Sequence, residues 1–307
     1  MTAVGVIVNA AAGSRDVVPT GRRVHALLGA AGYTVVDVSG ATLAQATDRA
    51  RAAATAGLAG LVVVGGDGAV HLGVNVVAGT HLPLGIVPAG TGNDIARALR
   101  VPADVDRAVA DIVAALASRP RRLDAVRVGR PGAPAYEWFL AVLSCGIDAA
   151  VNLTANTYRW PSGHLKYVRA LLGELPRFRP YGYRVRLDDE LWESAGSLVA
   201  VANTAWIGGG LKIAPDADPQ DGLLDVVVAG PFTRSGIVAI FPRLYTGGHV
   251  RHPKVTVFRS RSVTIEPLAA LGPHPPVAFA DGERIGPLPL LIEVVPGALG
   301  VLHRSPA

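Results

Sequence analysis

The chain is short of cysteine and short of charge. One cysteine, Cys145, stands among 307 residues, beside the apolar run Phe139–Ser144. A lone thiol excludes an internal disulfide framework and suits a reducing compartment. In that apolar setting it reads as a small buried hydrophobe and not as a nucleophile. Only 17% of residues are charged while 50% are hydrophobic, which excludes a disordered chain. The 29 Lys+Arg against 24 Asp+Glu leave a net charge of +5, a bias toward anionic surfaces. No Lys/Arg run with interleaved aromatics is present, so nucleic acid is not an expected partner. There is no internal repeat, no Walker A loop ending in Gly-Lys-Ser/Thr and no GxGxxG fingerprint.

Two further absences concern membranes and export. The opening MTAVGVIVNAAAG lacks a basic n-region and reads as a strand, so no signal peptide is expected. Gly68 to Asn93 contains no Asp, Glu, Lys or Arg, long enough to raise a membrane span. Six glycines, Pro83, Pro88, Asn75 and two histidines in that stretch rule against one continuous apolar helix. The expectation is a cytoplasmic protein that works at the inner membrane face as a peripheral partner.

What is present reads as roughly two domains. Val4–Val8, Thr34–Val38, Leu61–Val64 and Leu84–Val87 read as strands. Thr20–Ala31, Thr42–Thr55, Asn93–Leu99 and Asp104–Ala117 read as helices between or after them. Continuous Val/Leu/Ile strands alternating with helices imply a doubly wound parallel sheet covered on both faces. This nucleotide-type domain is expected over 1–124, with the tail 290–307 a candidate to join it. From Arg122 the period changes. Strands are expected near Asp124–Val128, Trp138–Leu143, Tyr183–Leu187, Ser197–Ala202, Leu224–Val228, Val255–Phe258, Val263–Glu266 and Val277–Ala280. Two helical patterns, Leu165–Leu175 and Ser235–Tyr245, interrupt them. That predicts a mostly antiparallel β-sandwich domain over 125–289.

The stretch LVVVGGDGAVHLG, Leu61–Gly73, concentrates the chemistry. Glycine loses more conformational freedom on folding than any other residue, so three of them around Asp67 need a reason. At the carboxyl end of a parallel strand they let a ligand approach the main chain, and amides opening the next helix suit an anion. A second such loop is Pro88-Ala-Gly-Thr-Gly-Asn-Asp94, and a third is Asn9-Ala-Ala-Ala-Gly13. Three glycine-bearing turns at one sheet edge, with Asp67, Thr91, Asn93 and Asp94 inside them, predict a polyphosphate cradle.

Gly-Gly-Asp-Gly at 65–68, Ala-Gly-Thr-Gly-Asn-Asp at 89–94, Ala-Pro-Asp-Ala at 214–217 with Asp-Gly at 221–222, and Asp-Gly-Glu at 281–283 occur in order. As a set they resemble the soluble bacterial diacylglycerol kinase family, which includes sphingosine-kinase-like lipid kinases and shares its nucleotide domain with NAD kinases. His249-Val-Arg-His-Pro-Lys254 also resembles a family segment, so the likeness covers essentially the whole chain. The chain departs from the family pattern at Ala69, where threonine is usual, and at Asn9-Ala10, where Asn-Pro is usual.

The resemblance implies ATP-dependent transfer of a phosphoryl group to a hydroxyl of diacylglycerol or a related lipid, with ATP and Mg²⁺ as cofactors. It implies nucleotide binding by Asn9, Gly13, Ser39, Gly65, Gly66, Asp67, Gly68, Ala69, Val70, Thr91 and Asn93. Glu283 is the implied proton acceptor. Asp67 would organise metal and water first and act as base second, with Asp94 and Asp124 completing a carboxylate network. A structural Mg²⁺ is implied at Asp221, with backbone oxygens of Asp218 and Leu223; by spacing alone that segment reads as a solvated turn. The aromatic and basic mix Tyr158–Tyr167 suits either a headgroup layer or a core. Expected partners are ATP, a lipid at a membrane surface and a second copy of the chain. Two alternatives stand beside the lipid kinase: a kinase of a soluble substrate such as NAD, and a nucleotide- or lipid-sensing module without catalysis.

Overall fold

The computed structural model describes residues 2–9, 17–158 and 164–303. The chain divides into two compact units, Met1–Ala125 with Pro296–Ala307, and Val126–Val295.

The first unit alternates strand and helix: β1 Ala3–Val8, α1 Val17–Ala30, β2 Thr34–Asp37, α2 Leu43–Thr55, β3 Gly60–Gly65, α3 Asp67–Val77, β4 Leu84–Pro88, α4 Asp94–Ala98 and α5 Val105–Leu116. The strands pair in parallel in the order β2-β1-β3-β4, and Val301 pairs in parallel with Leu84. Every residue of β3 is buried, as the uninterrupted apolar run requires of a strand covered on both faces. On one side Val4, Val6, Val62, Val64 and Val87 pack with Val24 and Leu28 of α1 and Val109 and Ile112 of α5. Local chemistry sets the helix starts. Thr42 caps α2 by accepting from the Gln45 N–H, and Gln45 Oε1 reaches back to the Ala41 N–H. Asp104 caps α5 at the Arg107 N–H.

In the second unit the elements are β5 (Arg121–Gly129, which begins in the first unit), β6 Tyr136–Phe139, β7 Val142–Gly146, α6 Ile147–Thr157, α7 His164–Glu174, β8 Tyr181–Arg186, β9 Leu191–Gly196, β10 Leu198–Ala202, β11 Trp206–Ile207, β12 Leu211–Lys212, β13 Leu224–Ala229, α8 Arg234–Ile240, β14 Val255–Ser260, β15 Ser262–Pro267, β16 Ala278–Ala280, β17 Glu283–Gly286 and β18 (Leu290–Val301, which ends in the first unit). One sheet has the order β14-β13-β10-β7-β16-β17, all antiparallel. The other joins β6, β5, β18, β15, β8 and β9. Alternate residues of both sheets form one core: Tyr183, Val185, Val263, Ile265 and Ile292 from the second meet Leu143, Cys145, Val199, Val201, Val226 and Val228 from the first. This is the sandwich of antiparallel sheets that the short alternating strands predict.

Three local expectations need correction. The expected strand Trp138–Leu143 is two strands, β6 and β7, because the chain breaks at Leu140–Ala141 to meet a carboxylate described below. Helix α6 has no counterpart among the predicted elements; its Asn152, Thr154, Asn156 and Thr157 are weak helix formers, and packing against α7 supports it instead. The helix expected over Ser235–Tyr245 stays α-helical only through Ile240. Pro242 has no N–H to continue the ladder, and Phe241–Tyr245 tightens to a 3-10 turn. Among the described residues no helix is long and apolar enough to cross a membrane.

Candidate functional site

In the first unit the glycine loops leave the sheet side by side. β3 and β4 run parallel with Gly65 opposite Pro88, and the Ala89 N–H donates to the Gly65 carbonyl at 2.9 Å, carrying the pairing into the loops. Gly66 is the N-cap of α3 in an extended conformation, with no side-chain cap. Gly90 lies against it. A Cβ at Gly90 would stand 2.4 Å from Gly66 Cα and 2.9 Å from Gly66 N, so the two loops meet main chain to main chain. A helix that starts directly behind a glycine loop at a strand's carboxyl end is a geometry that receives an anion.

The polar residues predicted around these glycines brace the loops. Asn93 adopts the left-handed conformation (φ 54°, ψ 42°), accepts from the Gly90 N–H at 3.1 Å and donates to the Gly90 carbonyl at 2.8 Å. Asp67 Oδ1 accepts from the Ile95 N–H at 3.0 Å, tying the start of α3 to the start of α4. Asp94 is buried and ion-paired with Arg97, whose other arm donates to the Gly92 carbonyl at 3.3 Å. Arg97 was not among the predicted site residues; its three-residue spacing from Asp94 on a helix is the signal that could have found it. Thr91 is exposed at the tip of the second loop.

The remaining predicted residues are spread through the same unit. Ala69 is buried at 1% exposure, and a Cβ on Gly65 would lie 2.7 Å from its Cβ, so position 69 packs beneath the first loop. The N–H groups of Ala69 and Val70 donate to the Gly66 carbonyl at 3.0 and 3.2 Å. The Asn9 N–H donates to the Val64 carbonyl at 3.2 Å, holding the end of β1 on β3. Ser39 Oγ accepts from the Val8 N–H at 2.8 Å, where β2 passes the end of β1. Asp124 is buried, and its Oδ1 accepts from the Gly297 N–H at 2.8 Å. Gly13 and the rest of the third loop lie outside the described residues, as does 159–163 of the aromatic and basic segment.

In the second unit Asp281, Gly282 and Glu283 form a hairpin. Ala280 pairs with Glu283, and the two intervening residues have positive φ (52° and 87°), the pattern of a two-residue type I′ turn. Glu283 therefore opens β17 in a fixed backbone position, partly buried. Asp281 is the better-anchored carboxylate, at 7% exposure. Its two oxygens accept from the Leu140 and Ala141 N–H groups at 2.9 and 2.8 Å, and its own N–H donates to Val142. Asn203 holds the other side of that break, donating from Nδ2 to the Leu140 carbonyl at 2.8 Å.

The turn Asp218–Leu223 is rich in oxygen. Asp218 Oδ1 accepts from the Gln220 N–H at 3.1 Å, Asp221 Oδ1 accepts from the Leu223 N–H at 2.9 Å, and Asp221 Oδ2 is ion-paired with Arg259. Burial pushes the neighbouring Asp225 carboxyl up to about 6, with Asp221 and Asp216 adding to the shift and Arg259 opposing it. The donors suit a hard cation, and Arg259 is the positive group they hold. Among the described residues no three His, Cys, Asp or Glu side chains are arranged around a metal position, so backbone carbonyls would have to complete any such set. Elsewhere in the unit, Asp148 was missed by sequence reasoning. It lies in the first turn of α6, its Oδ1 is buried without a partner, and burial pushes its carboxyl up to about 6. Cys145 is core, as expected: burial raises its thiol well above the ordinary range, and its carbonyl accepts from the Tyr183 hydroxyl at 2.9 Å.

Comparison with known proteins extends over both units. Residues 3–128 match the family described as "Diacylglycerol kinase catalytic domain", and residues 141–303 match "YegS C-terminal NAD kinase beta sandwich-like domain". A diacylglycerol kinase of Mycobacterium tuberculosis (strain ATCC 25618 / H37Rv) is 38% identical over 89% of this chain and 85% of its own length. That of Bacillus subtilis (strain 168) is 27% identical over 84% of this chain and 82% of its own. A crystal structure of a diacylglycerol kinase from Bacillus anthracis str. Sterne shares the fold with a TM-score of 0.71 at 18% identity, covering 99% of this chain and 97% of that one. With two family descriptions matched in the order of the two units, and a curated relative well above 30% identity over most of its length, the chain belongs to the bacterial diacylglycerol kinase-like lipid kinase family.

Proposed function

We propose that this kinase uses ATP to phosphorylate a hydroxyl of diacylglycerol or a related lipid presented at a membrane surface. The observation that carries the reading is the contact of the Gly66 and Gly90 backbones, which brings two glycine loops and the start of α3 together at the carboxyl ends of β3 and β4. Such a site has little covalent chemistry to perform; positioning and charge stabilisation dominate phosphoryl transfer. ATP when bound supplies the γ-phosphoryl group, and Mg²⁺ neutralises charge on it. The first-turn amides of α3 would hold phosphate oxygens, while Asp67, Asn93 and Asp94 keep the loops at their spacing. Asp221, with the backbone carbonyls of Asp218 and Leu223, would hold a structural Mg²⁺ in place of the Arg259 contact. Glu283, fixed by the type I′ hairpin, would accept the lipid hydroxyl proton, with Asp67 second in that role.

The test is Glu283→Gln. Loss of a general base lowers turnover by roughly 10²–10⁴-fold, and binding of a non-hydrolysable nucleotide should stay close to that of the unaltered protein. Near-normal turnover would remove Glu283 from the role. The likeness of residues 141–303 to an NAD kinase sandwich favours one second reading, a soluble acceptor. A substrate panel in which NAD is phosphorylated and no lipid is would reverse the order of the two.

A further inference from the structure

From Val226 to Ile265 the chain carries no Asp or Glu, yet it holds Arg234, Arg243, Arg251, Lys254, Arg259 and Arg261 as well as His249 and His252. The fold of the second unit gathers part of this charge around one pocket of about 210 Å³, lined by Phe232, Ile240, Arg243, His252 and Lys254 among others. Phe232 is buried and forms an aromatic wall. The His252 ring lies 4.9 Å from its centroid, and Lys254 Nζ sits 5.6 Å from it while donating to the Pro231 carbonyl at 2.8 Å. His252 Nδ1 accepts from the Lys254 N–H at 3.1 Å, which leaves Nε2 as the nitrogen able to donate. Several arginines elsewhere in the chain are held by carboxylates: Arg23 by Asp106, Arg127 by Glu293, Arg186 by Glu266 and Arg259 by Asp221. Among the described residues no carboxylate pairs with Arg243, His252 or Lys254. Val238 on α8 (50% exposed) and Tyr245 in the turn that follows (41% exposed) stand out as apolar side chains of the same segment.

We infer that this pocket is a docking site for the phosphate headgroup of an anionic glycerophospholipid in a bilayer. The three basic groups would take the phosphate, and Phe232 and Ile240 the glycerol carbons. Val238 and Tyr245 would enter the interface, where apolar and aromatic side chains gain from leaving water. The size agrees. A pocket smaller than the roughly 300–1,000 Å³ that encloses a drug-sized ligand has room for a headgroup and leaves acyl chains in the membrane. The inference rests on the reading that the chain meets its acceptor at a membrane, but it concerns a lipid that is held and not phosphorylated.

The experiment is co-sedimentation of the full chain, without nucleotide, on vesicles free of diacylglycerol. One set is phosphatidylcholine alone and the other carries about one-third phosphatidylglycerol, where each basic group near the surface adds about fivefold to binding. The unaltered protein should bind the anionic set at least tenfold better. Arg243→Gln with Lys254→Gln should lose tenfold or more of that binding, whereas Arg22→Gln with Arg130→Gln, the same charge removed elsewhere, should lose less than threefold. Melting temperature checks that both pairs remain folded, and Val238→Ser gives a second variant that should weaken binding without changing charge. Equal losses in the two charge pairs would overturn the pocket in favour of net charge alone. Inorganic phosphate that fills the pocket with no effect of the variants on vesicles would overturn the lipid. Failure of the protein to phosphorylate any lipid would sink the kinase reading and leave this result standing.

Discussion

Gly90→Ala tests whether the loop contact organises the nucleotide site. Gly90 is not one of the positive-φ residues, so left-handed strain does not enter the substitution. The new methyl would meet Gly66 Cα at 2.4 Å, Gly66 N at 2.9 Å and Asn93 Oδ1 at 3.0 Å. Two of these are main-chain atoms, which no rotamer change can move. Ordinary contact begins near 3.4 Å, so the loops must part by about 1.0 Å. Overpacking of this kind costs typically 1–3 kcal/mol, and a backbone clash belongs in the upper half of that range. At about 2–4 °C per kcal/mol for a chain unit of this size, the melting temperature should fall by roughly 4–12 °C. A displacement of that size at a catalytic site can lower turnover about 10²-fold, and nucleotide affinity should drop with it. Gly29→Ala is the matched control. A Cβ at Gly29 meets nothing within 4 Å on an exposed turn of α1, so the same change should stabilise by about 0.5–1 kcal/mol. Calorimetric melting and titration with a non-hydrolysable nucleotide decide the matter. A Gly90→Ala protein that melts and binds nucleotide like its parent would refute the contact as the organiser of the site.

Asp281→Ala should destabilise the second unit by roughly 2–5 kcal/mol, because it strands two buried N–H groups and places alanine at positive φ; urea unfolding that shows less than about 1 kcal/mol would show that other groups can satisfy Leu140 and Ala141. Asp148 predicts a pH dependence. Burial raises its carboxyl from the ordinary 3.8 to about 6, so the folded state binds more protons than the unfolded one between these values. Its contribution is fully present below about pH 4 and lost as pH rises through about 6. The stability gained by Asp148→Asn should therefore grow across that window, toward a limit on the order of 3 kcal/mol. Urea midpoints of the two proteins that stay parallel from pH 4 to pH 7 would place the Asp148 carboxylate in contact with water.

Much of the architecture was legible in the residues themselves. A strand buried on both faces must be apolar throughout, so Leu61–Val64 announces a parallel sheet; a strand buried on one face alternates, so Val263 and Ile265, with Thr264 between them, announce an antiparallel sheet over a core. Thr42 and Asp104 mark helix starts because a cap acts over three residues. Asp281-Gly282 marks a turn because only a few residue types accept positive φ. These rules act over a few bonds, and a linear sequence contains them whole. Which glycine meets which was not legible, since the Gly66–Gly90 contact exists only because β3 and β4 pair with Gly65 opposite Pro88. Nor did Asp281 reveal that its carboxylate serves two amides some 140 positions away, splitting an apparent single strand into β6 and β7. Asp148 looked like any residue after an apolar run until packing closed around its Oδ1. Propensity, periodicity and turn chemistry are local and were determined by the sequence. The roles of Asp67, Asn93, Asp148 and Asp281 depend on which distant main-chain groups strand register brings within hydrogen-bond reach, and the tertiary structure alone decided that.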